Sequence, residues 1–317
     1  MEGIGLRKTA FLFPGQGSQV VGMGQDVYQE FGFVRELFDM AEEISRVNLS
    51  RLCFNGPMEE LTQTVILQPA VTVVNIALLT ALQREGCNPV LTAGHSLGEY
   101  SALEASGFIS AENTLRLVQR RGELMHREAS RNIGAMSALL GLSMAAVEKL
   151  VQKGREKGLV SVANHNTEQQ IVITGEPAAV KAVSVLAAEK GAKAIALKVS
   201  GAWHSDLIRG AEDDFSHFLE SIEFQSPGTG IISNVTAEIE TEPDQIRALM
   251  SRQLCSPVKW YESMQRLAKE EIEVFVEIGP GKVLTGLLRK ILPKGYPAAT
   301  YNVNSLKTFE YFLADIV

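Results

Sequence analysis

The sequence predicts an α/β protein in which a large unit with a parallel sheet is interrupted by a small α+β unit. Three observations carry that prediction. A strand-like run, a glycine-flanked turn and a helical stretch follow one another in "NPVLTA", "GHSLG" and "EYSALEASG". Residues 131–198 change character and read β-α-β-β-α-β. Strand and helix patterns then resume through "IEVFVEIGPGKVLTGLLRKI". The chain has 317 residues, 45% of them apolar, which is enough for a large core and more than one unit.

Taken in order, "KTAFLF" at 8–13 is a buried-strand run that stops at Pro14 and Gly15. Glycines recur at 15, 17, 22 and 24, but Val20 stands where a dinucleotide-binding loop would need its third glycine. The loop is then either a plain turn or one whose backbone N–H groups face a site. "DVYQEFGFVRELFDMAEEI" has helical periodicity, and residues 70–84 read as a mostly buried helix. In the small unit, "GAMSALLG", "LVSVAN", "QQIVITG" and "AKAIALKVS" read as strands. "SMAAVEKLVQKGREKG" and "EPAAVKAVSVLAAEKG" read as helices, which is the ferredoxin-like order. The expected division is 1–130 with 199–317 for the large unit and 131–198 for the inserted one.

The formal net charge of −7 and the lack of a long Lys/Arg run argue against nucleic-acid binding, which needs a clustered basic surface. Cys53, Cys87 and Cys255 are odd in number and have no C-x-x-C spacing. They suggest neither a disulfide framework nor a metal site, and they read as buried thiols in a reducing compartment. The opening stretch "MEGIGLRKTAFLFPGQG" is not a secretory signal. The longest apolar run, "VTVVNIALLTAL", is too short to cross a bilayer and contains Asn75. The expectation is a cytoplasmic monomer with no membrane contact.

Gly94-x-Ser96-x-Gly98 between a strand and a helix is a nucleophile-elbow pattern, which makes the large unit α/β-hydrolase-like. The alternative is a serine in an ordinary tight turn. An elbow puts Ser96 at a helix N-terminus, where the Leu97 N–H is free to face an oxyanion. Five histidines are candidates for its base. His126 and His217 lie among charges on exposed-looking helical faces, His165 lies in the inserted unit, and His95 reads as a packed elbow residue. His204, in "SGAWHSDLI", falls between a strand and a helix, where a helix dipole keeps imidazole neutral. No Asp or Glu between Ser96 and His204 stands out as the third member of a triad, which counts against an ordinary esterase. Arg121 falls on the apolar stripe of Thr114, Leu117, Val118, Leu124 and Met125. A buried guanidinium needs an anion, either a structural carboxylate or one on a substrate.

Six segments, "FPGQGSQ", "GHSLGEY", "QRRGELM", "GAWHS", "RQLCSPVKW" and "EIGPGKVLTGL", occur in an order that resembles the malonyl-CoA:acyl carrier protein transacylase family. The resemblance spans nearly the whole chain. It implies Ser96 as the acylated nucleophile and His204 as its base. Gln16 and Leu97 would supply the oxyanion N–H groups, and Arg121 would hold the malonyl carboxylate. The backbone carbonyl of Gln253 would orient the histidine in place of the missing acid. Met125 and Asn166 would lie near the acyl pocket. Many members of the family read "GAFHSPLM" where this chain reads "GAWHSDLI". Trp203 would crowd the acyl α-carbon and favour unbranched malonyl, and Asp206 would cap the next helix. The resemblance implies malonyl-CoA and an acyl carrier protein as partners, with coenzyme A thioester as substrate and no cofactor or metal. Two alternatives remain: a stand-alone acyltransferase loading a polyketide synthase carrier domain, and an acyl-thioester hydrolase. Lys282, Arg289 and Lys290 are candidate carrier contacts, or else a solvated helix face.

Overall fold

The computed structural model describes residues 7–316. The reading of residues 1–6 as part of a non-secretory start lies outside the described residues.

Among the described residues ten strands form two sheets. The first contains β1 (Thr9–Phe13), β2 (Leu91–Gly94), β7 (Gly230–Ile232), β8 (Ile239–Glu240), β9 (Val274–Ile278) and β10 (Ala299–Val303), in the order β10-β9-β1-β2-β7-β8. All neighbours are parallel except the β7–β8 pair. β1 lies centrally and is buried at every residue, as its unbroken apolar run predicts for a strand covered on both faces. Alternate residues serve opposite cores. Phe11 and Phe13 join the large cluster around helix Thr64–Arg84, and Ala10 and Leu12 join Trp260 and Leu284 on the other face.

Helix Thr64–Arg84 begins a turn and a half earlier than its periodicity suggested, because Pro69 lies inside it. Proline cannot donate to the Val65 carbonyl, which made Ala70 look like a start. At this length the helix is long and apolar enough to cross a membrane, contrary to the estimate from the shorter run. Its most apolar 18-residue window has a mean hydropathy of 2.0 and is 83% buried inside the protein, so it serves as a core helix.

The second sheet is antiparallel throughout. Its strands are β3 (Ala135–Leu140), β4 (Val160–Thr167), β5 (Gln170–Gly175) and β6 (Lys193–Ala196), in the order β4-β5-β3-β6. This is the ferredoxin-like order, with helices Met144–Gly154 and Pro177–Glu189 packed on it through Val147, Leu150, Val180 and Val183. β6 stops at Ala196, four residues short of the run read from sequence. Leu197 and Val199 instead turn inward to line a cavity. The two sheets meet where β4 runs beside residue 258: Val258 N donates to Ala163 O at 2.8 Å, and His165 N donates to Val258 O at 2.9 Å.

Cys53 and Cys87 are buried thiols as expected, but Cys255 is only partly covered. Asp206 does not cap the helical turn Asp206–Ala211. Ser205 does so, accepting from the Leu207 N–H, and Asp206 pairs with Arg209.

Candidate active site

Between β2 and helix Gly98–Ser106 the chain reverses so tightly that Ser96 takes a φ of 52°, in the left-handed region. The glycines of the motif are there for close approach. A Cβ on Gly94 would lie 2.0 Å from the carbonyl carbon of Gly98, and one on Gly98 would lie 2.0 Å from the Phe13 carbonyl oxygen. Asn234, just after β7, ties the turn from the other side: Ser96 N donates to its Oδ1 at 2.8 Å, and its Nδ2 donates to Gly94 O at 2.7 Å.

The elbow aims Ser96 Oγ at His204 Nε2, 2.7 Å away. The opposite nitrogen, Nδ1, faces two carbonyls, Gln253 O at 3.1 Å and Ser256 O at 3.0 Å. Carbonyls only accept, so Nδ1 carries the proton and Nε2 keeps its lone pair for the serine hydroxyl. Burial, reinforced by the positive charge of Arg121, lowers the His204 pKa to about 3. Asp206, committed to Arg209, does not oppose that shift.

Arg121 is 1% exposed on the buried stripe of helix Ala111–Arg131. Its Nη2 donates to Ser96 Oγ at 3.1 Å and to Gln253 Oε1 at 3.3 Å, and its guanidinium carbon lies 5.5 Å from the centre of the Tyr100 ring. Among the described residues it makes no salt bridge, and its buried Nε has no hydrogen-bond partner. No carboxylate of the described residues contacts it directly, and the buried Glu99 reaches it only through the Gln253 amide. Arg120, one residue away, points outward to Glu123.

A cavity of about 110 Å³ joins these groups, and Gln16, Met125 and Trp203 line it with Ser96, Arg121 and His204. Among the described residues no hydrogen bond of the chain engages the Leu97 or the Gln16 N–H. Asn166 is not in this cavity. It bonds His95 Nε2 at 2.8 Å and lines a neighbouring cavity of about 180 Å³ that shares Gln16, His95 and Asn164 with the first. Asn166 thus lies beside the acyl cavity, and Asn164, two residues earlier on β4, lines the cavity itself. His165 is turned away and pairs with Glu262 at 2.6 Å. His126 and His217 are exposed.

Sequence reasoning missed Asn234, Ser256 and Glu99. Asn234 lay in a stretch read simply as strand, and Ser256 acts through its carbonyl, which no side chain signals. Glu99 had a signal: a charged residue in the first turn of a helix whose other residues are nearly all small or apolar.

A glycine-flanked elbow serine on a parallel sheet, paired with a neutral histidine beside an unsatisfied buried cation, defines an acyl-transferring α/β enzyme. The chain belongs to the acyl transferase domain family, whose model matches residues 10–306. It is 44% identical over 288 residues to the malonyl CoA-acyl carrier protein transacylase of Bacillus subtilis, covering 90% of this chain and 91% of that protein. Against the malonyl CoA-acyl carrier protein transacylase of Escherichia coli K12 the identity is 40% over 289 residues, covering 90% and 94%. The crystal structure of malonyl-CoA:acyl carrier protein transacylase from Xanthomonas oryzae pv. oryzae superimposes with a TM-score of 0.93 at 35% identity, covering 98% of this chain and 99% of that one. A malonyl-transacylase solved in complex with its type II polyketide synthase acyl-carrier protein superimposes at 0.92 with 36% identity, covering 97% and 99%.

Proposed function

We infer that this enzyme moves a malonyl group from coenzyme A to the phosphopantetheine thiol of an acyl carrier protein, through a malonyl ester on Ser96. The observation that carries the reading is Arg121, a buried guanidinium with no carboxylate of its own, 3.1 Å from the Ser96 hydroxyl. A free carboxylate on the acyl group is the anion such a cation lacks, and the planar fork suits it bidentately.

His204 Nε2 accepts the Ser96 proton as Oγ attacks the thioester carbon. The resulting oxyanion rests on the Leu97 and Gln16 N–H groups, each worth about 3 kcal/mol at such a site. The tetrahedral intermediate collapses, the carbon–sulfur bond breaks, and the thiolate leaves with the proton from His204. A carrier thiol then gives its proton to His204 and attacks the ester, and Ser96 recovers the proton as it departs. Trp203 and Met125 border the acyl group and set its bulk. Gln253, through its carbonyl, keeps His204 in the working tautomer.

Lys282, Arg289 and Lys290 are exposed on or next to helix Val283–Ile291, whose Val283, Leu284 and Leu287 line the second cavity. An acidic carrier meeting those cations would present its arm to that cavity. The pathway follows from the carrier: fatty acid synthesis is our first reading, and a polyketide carrier is the second, favoured by the likeness to the transacylase bound to such a partner. A cytoplasmic setting fits the unpaired cysteines.

The test is a chase. Malonyl-CoA should leave an adduct on Ser96, read by intact mass and absent in Ser96→Ala. Added holo carrier protein should take the adduct up quantitatively. Loss of the adduct to water at the same rate with or without carrier would make the enzyme a hydrolase.

A further inference from the structure

Glu99 stands in the first turn of the helix that follows the elbow, and it is fully buried. Among the described residues no cation lies within salt-bridge distance of it, so its two oxygens depend on hydrogen bonds. Oε1 accepts from the Asn234 backbone N–H at 2.8 Å, and Oε2 accepts from Gln253 Nε2 at 2.7 Å. Both partners are already part of the site. The Asn234 side chain ties Gly94 and Ser96 together, and Gln253 Nε2 also donates to Ser96 O at 2.8 Å. The other end of the Gln253 amide, Oε1, then faces Arg121 Nη2 at 3.3 Å and the Tyr100 hydroxyl at 3.4 Å.

An ionised carboxylate only accepts hydrogen bonds, as does the Ser96 carbonyl, so the two together fix which way this amide lies, the carboxylate by the charge-assisted bond. The NH2 must point at Glu99, and the oxygen is left for Arg121, a side chain with donors and no acceptor. We propose that Glu99 is a positioning residue that sets the amide orientation of Gln253 and thereby aims the Arg121 guanidinium into the acyl cavity, an inference that rests on the transferase reading above.

Protonation removes the charge-assisted one of the two constraints and leaves the Ser96 carbonyl alone to hold the NH2. A neutral carboxyl presents an O–H, to which the Gln253 oxygen can turn, and the NH2 would then meet the guanidinium donor to donor. Burial raises the Glu99 carboxyl to about 7, against the lowering effects of Asn234, Gln253 and the charge of Arg121. The titratable groups around it are Arg121 from helix Ala111–Arg131, Tyr100 on its own helix and His204 across Gln253. Burial keeps the Tyr100 hydroxyl neutral and the His204 imidazole uncharged, so neither changes charge between about pH 6 and pH 8. Preference for a carboxylated acyl group is therefore full above about pH 7, where Glu99 is ionised, and weakened below it.

The experiment measures the rate of Ser96 acylation by malonyl-CoA and by acetyl-CoA, read by intact mass, and takes their ratio at several pH values. Any general loosening of the elbow slows both donors and cancels in the ratio. In the wild type the ratio should fall about tenfold between about pH 8 and pH 6, the loss of one charge-assisted hydrogen bond. Glu99→Gln keeps the shape, but the Asn234 N–H would hold the new amide by its oxygen and turn its NH2 against Gln253. Its ratio should be low, about tenfold below wild type at pH 8, and level with pH. A Glu99→Gln enzyme with the wild-type ratio and profile would overturn the proposal. Should that variant fail to fold, a wild-type ratio that stays level across the same range overturns it equally. A wild type that takes no malonyl group on Ser96 at any pH is a different result, and it removes the transferase reading itself.

Discussion

His204 works as a base without a carboxylate behind it, and the two carbonyls that replace one have consequences at the scale of the single residue. A carboxylate would stabilise imidazolium by charge, whereas the Gln253 and Ser256 carbonyls offer only dipoles. Buried and close to the Arg121 charge, the ring is held neutral down to about pH 3. The direction is that of a buried base: its folded pKa lies below the ordinary value, so the proton-accepting form persists as pH falls. Ring-nitrogen NMR should show His204 as the Nδ1–H tautomer, unchanged between about pH 8 and pH 5, whereas titration near the ordinary imidazole value of about 6.5 would contradict the geometry. Ser96, His204 and Arg121 were legible because each breaks its local pattern: a serine among glycines, an imidazole just before a helical turn, a guanidinium on an apolar stripe. The Ser256 carbonyl was not legible, since every residue has one and only the fold selects it. Asn164 was overlooked beside Asn166 for a related reason, because β4 is bulged and its register does not show which of the two lines the cavity with Ser96.

At the scale of the element, the elbow is a packing problem solved with glycine. Helix Gly98–Ser106 starts in contact with the end of β1, so its dipole and free N–H reach the site only if that contact is kept. Gly98→Ala would drive a methyl group into the Phe13 carbonyl, 2.0 Å from the ideal Cβ. Overpacking of this kind costs about 1–3 kcal/mol, and here the backbone itself must yield, so denaturant unfolding should show a loss at or above the upper figure. A loss under about 0.5 kcal/mol would mean that the helix does not need this approach. Element types were read well wherever apolar periodicity was clean, as in β1, β5 and helix Ala111–Arg131. Limits were read poorly where tertiary demands override pattern. Pro69 hid the start of helix Thr64–Arg84, and β6 ends early because Leu197 and Val199 are needed at the cavity.

At the scale of the whole molecule, the acyl cavity is assembled from parts remote in sequence. Gln16 follows β1, Ser96 follows β2, Arg121 comes from a helix, Asn164 from the antiparallel sheet, and His204 from the segment that leads back to the parallel one. The fold class was readable from order alone, since β-α-β-β-α-β followed by renewed alternation admits few arrangements. The shape of the cavity was not, because it depends on how the two sheets meet along β4 and residue 258. What the assembly achieves is a small cavity with a buried cation that no carboxylate of the described residues contacts beside the nucleophile, which gives a carboxylated acyl group its advantage. The most direct measurement compares the rates at which malonyl-CoA and acetyl-CoA acylate Ser96 in the wild type and in Arg121→Ala. The wild type should favour malonyl by about two orders of magnitude, as expected for a buried charge-assisted bidentate pair, and Arg121→Ala should erase the preference. Equal labelling by the two donors in the wild type, or an unchanged preference in Arg121→Ala, would contradict the account.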